Sequence, residues 1–250
     1  MMTKNKILHI HKQHAIFIGD FGFAEQHHHA APVLLFGLSG PIRVQIESSD
    51  PVQCRSALID ANVDHSIDCQ GERVATLYCE VDSLNAANLR STFLNTDPFA
   101  FDITKTTPHS KRHERNMLKA DLPALLKYSL NQHENNMDPR ISACLAHLKV
   151  NAPYSSSQIK LADQVSLSRS RLNHLFKGHT GVSFRRFKLW SQLSHFMRDM
   201  HATKNLTASA LNSGFSDSSH LSNAYKKVFG LTPSNILTNL DEFIVPPPFR

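Results

Sequence analysis

The C-terminal part of the chain repeats itself, and the repeat restricts its fold more than any other feature. A shift of 49 residues sets Leu172 on Leu221, Phe176 on Tyr225, Lys177 on Lys226 and Gly181 on Gly230. Each copy reads as a short helix, a turn and a second helix: 155–165 and 168–179, then 206–213 and 217–229. Ala162 and Ala210 lie on the first helices, where a close crossing requires a small side chain, and the plain reading is helix-turn-helix. A long helix from about Phe184 to Met200 joins the copies. Asp138-Pro139 opens a preceding helix with Asp as N-cap and Pro at the first helical position, and Ile141, Cys144, Leu145 and Leu148 form its apolar stripe. Thr232-Pro233 starts a last short helix ending near Leu240, followed by an extended tail.

What the second helices expose points to a polyanion. The first shows Arg169, Ser170, Asn173, His174 and Lys177; the second shows Ser218, Ser219, Ser222, Asn223 and Lys226. These faces carry almost no acid. Asn can bond adenine bidentately, Ser can donate or accept, and Arg or Lys neutralises phosphate. The charge agrees: residues 138–250 hold 14 basic and 6 acidic side chains, whereas residues 1–137 hold 13 and 15. A near-neutral part joined to a basic part is the footprint of a regulatory module fused to a nucleic-acid-binding module.

Residues 138–240 resemble the DNA-binding domain of AraC/XylS-type transcription regulators. The resemblance rests on Leu161-Ala162, Leu167-Ser168-Arg-Ser-Arg-Leu172, Leu175-Phe176-Lys177 and Thr180-Gly181. It continues through Ala210, Gly214-Phe215-Ser-Asp217, Ser219-His220-Leu221 and Phe229-Gly230-Leu-Thr-Pro233-Ser. It implies two recognition helices in successive major-groove segments, with Ser170, Asn173, His174, Ser218, Ser219, Ser222 and Asn223 as base readers. The connecting helix departs from the common pattern, with Trp190-Ser-Gln192-Leu193 and Phe196, which we read as packing variants.

The first 81 residues read differently. Segments 7–10, 15–18, 32–38, 42–46, 56–59 and 74–81 are apolar or alternating, and Gly, Pro, Ser and Asp punctuate them. Such spacing predicts a small β-barrel or sandwich. Helices are expected at 83–94, capped by Ser83, and at 112–130, where Leu118, Leu122, Leu125, Leu126 and Leu130 are spaced helically. A break is expected at 97–108 and a linker at 131–137. The front part resembles the cupin-like sensor domain that precedes this DNA-binding domain in many regulators. His27, His29 and His65 satisfy the ligand count of a cupin metal centre, but Ala30-Ala31-Pro32-Val33 stands where its glutamate would be. The readings are histidines exposed or hydrogen-bonded at a barrel mouth, an effector or proton sensor, or a metal site. His109, His113 and His133 read as solvated.

Composition closes other routes. No apolar run approaches ~20 residues, so no helical membrane span is expected. The start, MMTKNKILHIHKQH, lacks an apolar leader core. Four separated cysteines suit packed thiols in a reducing cytoplasm. The expectation is an α+β chain: a cupin-like β-barrel with trailing helices (1–130), the linker, an all-α DNA-binding domain (138–240) and a tail (241–250). It is expected to regulate transcription from promoter DNA under an effector held near His27, His29 and His65, without enzymatic activity, cofactor, resident metal or membrane. RNA polymerase and a second copy are admitted as further partners. The alternative is a metal-dependent cupin enzyme with an appended helical domain.

Overall fold

The computed structural model describes residues 6–103, 137–151 and 157–245. The expected helix at 112–130, most of the expected linker, and His109, His113 and His133 lie outside them. By its contacts the chain divides into one unit of Met1–Glu134 with Lys226–Arg250 and another of Asn135–Tyr225.

The first unit is β-rich. Its strands are β1 (Lys6–Ile10), β2 (His14–Gly19), β3 (Phe23–His27), β4 (Val33–Gly37), β5 (Ile42–Ile46), β6 (Val52–Cys54), β7 (Ser56–Ile59), β8 (His65–Asp68), β9 (Val74–Cys79), β10 (Phe99–Phe101) and β11 (Leu240–Ile244). Seven form one sheet in the order β10-β7-β4-β9-β2-β1-β11, and four form another in the order β3-β8-β5-β6. Because side chains alternate along a strand, each sheet has two distinct faces. One face of the larger sheet carries Ile16, Leu34, Leu58 and Leu77, packed with Ala86 and Leu89 of helix α1 (Leu84–Leu89). The Ser83 hydroxyl caps α1 by accepting from the Ala86 N–H at 3.1 Å, as the sequence predicts. The helix then widens into a π-turn over Arg90–Leu94. The opposite face carries Val33, Leu35, Ile59 and Tyr78, whose pairing is set by the register Val33↔Tyr78 and Val33↔Ile59. β4 is buried at all five positions, so both faces of this sheet are covered.

The strands depart from the sequence expectation in several places. β3, β6 and β8 are not expected: Glu25, Gln26 and Ser66 interrupt any apolar alternation in β3 and β8, and β6 is only three residues long. Phe99–Phe101 is a strand inside the expected break, paired antiparallel with β7. The last helix ends at Leu237, and 240–244 pairs parallel with β1, where an extended tail was expected. The Lys6 N–H donates to Asp241 Oδ2 at 2.7 Å, and His9 Nε2 meets Glu242 Oε1, which fixes that register. All four cysteines are buried free thiols; burial pushes Cys54, Cys69 and Cys79 up to about 12.

The second unit is helical: α2 (Pro139–Asn151), α3 (Gln158–Gln164), α4 (Arg169–Thr180), α5 (Phe184–Thr203), α6 (Leu206–Asn212) and α7 (Ser218–Phe229), whose last turn belongs to the first unit. A short α8 (Pro233–Leu237) follows. The predicted stripe of α2, Ile141, Cys144, Leu145 and Leu148, is buried throughout. On α5, Trp190, Leu193 and Phe196 are buried with Phe187, so the departures from the common pattern are packing residues.

His14, at the start of β2, stacks on His11 with ring centroids 4.4 Å apart. Burial, then the nearby His11 and His9, lower its pKa to about 4. The unfolded chain takes up this proton near pH 6.5 and the folded chain does not, so this site contributes stability above pH 6.5 that is lost as pH falls towards 4. The urea midpoint of the β-rich unit is expected to fall between pH 7 and 4.5, and less steeply in His14→Gln. Equal slopes in the two proteins would refute the assignment.

Candidate nucleic-acid interface and histidine cluster

The two helix-turn-helix copies repeat their local bonds as well as their residues. In the first turn the Leu167 N–H donates to the Ala162 carbonyl at 2.9 Å; in the second the Phe215 N–H donates to Ala210 at 3.1 Å. Ser168 caps α4 by accepting from the Arg171 N–H at 3.2 Å, and Asp217 caps α7 by accepting from the His220 N–H at 2.7 Å. Both second helices end on a left-handed glycine. Gly181 (φ 76°) donates to the Lys177 carbonyl at 2.9 Å, and Gly230 (φ 68°) donates to Lys226 at 2.8 Å. Leu172 and Phe176 of α4 are buried, as are Leu221 and Tyr225 of α7, so each helix presents its remaining face outward.

On α4, Arg169, Ser170, Asn173, His174 and Lys177 are all exposed. Two of them share a partner that the sequence reading missed. Gln158, at the start of α3, accepts from Arg169 Nε at 3.1 Å and donates through Nε2 to Asn173 Oδ1. That orientation leaves the Asn173 amide nitrogen directed away from Gln158, and it ties a candidate base reader to Arg169. No spacing rule marks Gln158, because its role arises only when α3 crosses α4. Arg171, Arg185 and Arg186 are exposed too and were not singled out. On α7, Ser219 and Asn223 are exposed, and Ser218 and Ser222 are half-buried. Lys226 is held in an ion pair with Glu25 at 2.8 Å.

The histidines meet in the first unit. His27 pairs with His65 across β3 and β8, although Ala24 pairs with Ile67. Between these pairs Glu25 and Gln26 on one strand therefore oppose Ser66 alone on the other. This bulge turns His27 to the same face as Ala24, where strict alternation would have turned it away. All three rings are buried, at 3%, 2% and 1% exposure for His27, His29 and His65, so of the expected exposed or hydrogen-bonded histidines the exposed form is corrected, while His27 and His65 are hydrogen-bonded. His27 Nε2 and His29 Nε2 are 3.2 Å apart, and the His27 and His65 ring centroids are 4.3 Å apart. His29 stands edge-on to Tyr78 at 4.9 Å and tilted to Phe229 at 5.6 Å. Adjacent His28 points elsewhere and pairs with Asp64 at 2.6 Å. Burial first, and then the crowding of like rings, pushes His27 down to about 3 and His29 well below its ordinary value; burial brings His65 down to about 4. All three are neutral at pH 7.

Two helix-turn-helix units with acid-poor polar faces form the class of domain that reads a duplex. Residues 161–239 match the family model described as a helix-turn-helix domain. The HTH-type transcriptional activator RhaS of Escherichia fergusonii is 32% identical over 123 residues, 48% of this chain and 44% of RhaS. RhaS of Escherichia coli K12 is 31% identical over the same length. The chain thus spans less than half the length of the curated relatives it matches. The C-terminal region is a helix-turn-helix domain of the AraC type, homologous to RhaS. Among solved structures, an apo form of ToxT from Vibrio cholerae aligns over 92% of this chain and 98% of its own, with a TM-score of 0.59 and 14% identity. Wild-type ToxT bound to an unsaturated fatty acid gives 0.57 and 14% over 92% and 96%. These likenesses establish a shared fold: a β-rich N-terminal part followed by helix-turn-helix motifs.

The two helix-capping glycines differ in what surrounds them. A Cβ on Gly181 meets nothing within 4 Å, whereas one on Gly230 would lie 2.3 Å from the Glu25 carbonyl. Gly181→Ala is expected to cost only the left-handed backbone penalty, about 1 kcal/mol. Gly230→Ala should cost clearly more in thermal unfolding of the full chain; equal losses would refute the contact.

Proposed function

We propose that this chain is a one-component, sequence-specific transcription regulator. The observation that carries the reading is the duplicated helix-turn-helix with two outward, acid-poor polar faces, within a region homologous to a transcriptional activator. In this reading residues 138–240 work as the DNA-binding module. Arg169 and Lys177 contact phosphates and bring salt-dependent affinity. Ser170, Asn173 and His174 on α4, with Ser218, Ser219, Ser222 and Asn223 on α7, read base edges in successive major-groove segments. Lys226 joins the phosphate contacts once it leaves Glu25. Residues 1–130 carry the effector site, near His27, His29 and His65; that ToxT of the same fold has been seen with an unsaturated fatty acid bound supports a small-molecule effector. The protein acts where promoter DNA lies, in the cytoplasm; no described helix is long and apolar enough to cross a membrane. RNA polymerase and a second copy are its further partners. The relatives being transcriptional activators favours this reading over a metal-dependent enzyme.

Selection of bound sequences from a random duplex pool by the full-length protein is expected to enrich two short blocks about 10 bp apart, one helical turn. On the enriched site, Asn173→Ala should cost about 1–3 kcal/mol and relax preference at one base position. Lys177→Ala should weaken every sequence alike and lower the slope of log affinity against log salt by about 1. Failure to enrich any sequence sinks the proposal.

A further inference from the structure

We propose that His27, His29 and His65 form a binding site for one late transition-metal ion, Zn²⁺ in the first instance, and that its occupancy is read by the end of α7. Among the described residues these three are the one group of histidine, cysteine or carboxylate side chains whose ligand atoms gather this way, all within 4.8 Å of one another.

The geometry is that of ligands already oriented. His27 Nδ1 lies 2.6 Å from the Glu25 carbonyl, and His65 Nδ1 lies 2.9 Å from the Val63 carbonyl. Each carbonyl can only accept, so each Nδ1 carries the proton and each Nε2 keeps a lone pair. The backbone of Val228 also hydrogen-bonds the His29 ring. A metal-bound imidazole is typically held by such a bond from its other nitrogen to a carbonyl, which fixes both tautomer and ring direction. His65 Nε2 is fully buried and has no hydrogen-bond partner among the described residues, a costly arrangement for a lone pair unless something else occupies it. The 3.2 Å between His27 Nε2 and His29 Nε2 matches the roughly 3.3 Å edge of a tetrahedron with ~2.0–2.1 Å metal–nitrogen bonds. Three neutral imidazoles without a carboxylate suit Zn, Cu, Ni or Fe and disfavour Mg or Ca. Burial keeps the rings neutral, which is the state that binds a metal.

The site also touches the part of the first unit that ends α7. Phe229 packs on His29, and a side chain at Gly230 would collide with His27 Nδ1 at 2.6 Å. Glu25 makes three links at once. Its carbonyl accepts from His27, its N–H donates to the Gly230 carbonyl at 3.0 Å, and its carboxylate pairs with Lys226. An ion held by His27 bears, through the bond from its Nδ1, on the carbonyl of Glu25 and so on the cap of α7. This second part rests on the DNA-binding reading above; the metal site itself does not.

The test uses the full-length protein, stripped with EDTA and titrated calorimetrically with Zn²⁺, the bound ion being counted by emission spectroscopy. One ion per chain is expected. His27→Gln and His65→Gln should each weaken binding at least ~100-fold, the upper end of what disturbing ligand orientation alone costs, and His28→Gln should leave it intact. Because a buried-ligand variant can fail to fold, the native chain is also loaded with Co²⁺, whose X-ray absorption should show three imidazole ligands. No stoichiometric ion, fewer than three imidazoles, or a folded His65→Gln with unchanged affinity would overturn the site. Affinity for the selected DNA should then change about tenfold with Zn²⁺, a coupling of about 1.4 kcal/mol. Unchanged DNA affinity at full occupancy overturns the coupling. Full occupancy in a protein that binds no DNA in either state supports the site and refutes the DNA-binding reading instead.

Discussion

A β-sheet covered on both faces has no route for its polar side chains to reach water, and the first unit is organised around that constraint. β4 is buried at every position, and most of its neighbours are apolar on both faces. Three imidazoles stand against such surroundings only because each is placed to use the backbone: Glu25, Val63 and Val228 supply the bonds that water would otherwise make. The cost of burial is thereby turned into orientation. Rings that cannot turn freely and cannot take up protons at pH 7 are the type of ligand a soft or borderline cation needs.

In the helical unit the dominant constraint is local. Each helix-turn-helix copy closes its turn by returning an N–H to an alanine carbonyl, caps its second helix with Ser or Asp, and stops it with a left-handed glycine. Only a small residue at 162 and 210 lets the two helices cross closely enough, and once they do, the buried stripe fixes which face remains outside. The polar faces are thus a consequence of packing. Gln158 shows what packing adds: its bonds to Arg169 and Asn173 hold two exposed side chains in one arrangement, which on the proposed DNA-binding reading lowers the ordering cost of binding.

This difference explains what the sequence disclosed. Caps and stripes are written within a dozen residues of one another and the repeat shows them twice, so α2, α4 and α7 are legible almost to the residue and α5 to within a turn, and the resemblance follows from them. The outward side chains of α4 were legible for the same reason. The β-rich part depends on partners far along the chain. β11 is a strand because β1, more than 200 residues away, offers it an edge, and nothing in Leu-Asp-Glu-Phe-Ile announces that. β3 stayed hidden because its bulge breaks the period-2 pattern that would have revealed it. The three histidines were visible as a group by residue type alone. Their burial was not, since it follows from the register of His27 against His65.

The same bulge joins the two themes. An extra residue between Ala24 and His27 displaces Glu25 from the regular ladder, and its backbone becomes free to bond outside the sheet. Its N–H goes to the Gly230 carbonyl and its carbonyl to the His27 ring, so one irregular residue is shared by a sheet, a buried ligand and a helix cap. β3 lies at the edge of its sheet, which leaves such backbone groups open to outside partners, and a regular strand would have pointed the histidine away. Gly230 is required there twice over, once for its left-handed φ and once because Glu25 leaves no room for a Cβ. The contact at the end of α7 is therefore specified by backbone geometry on both sides. A shift at the histidines reaches that helix through main-chain bonds, without passing through a flexible side chain.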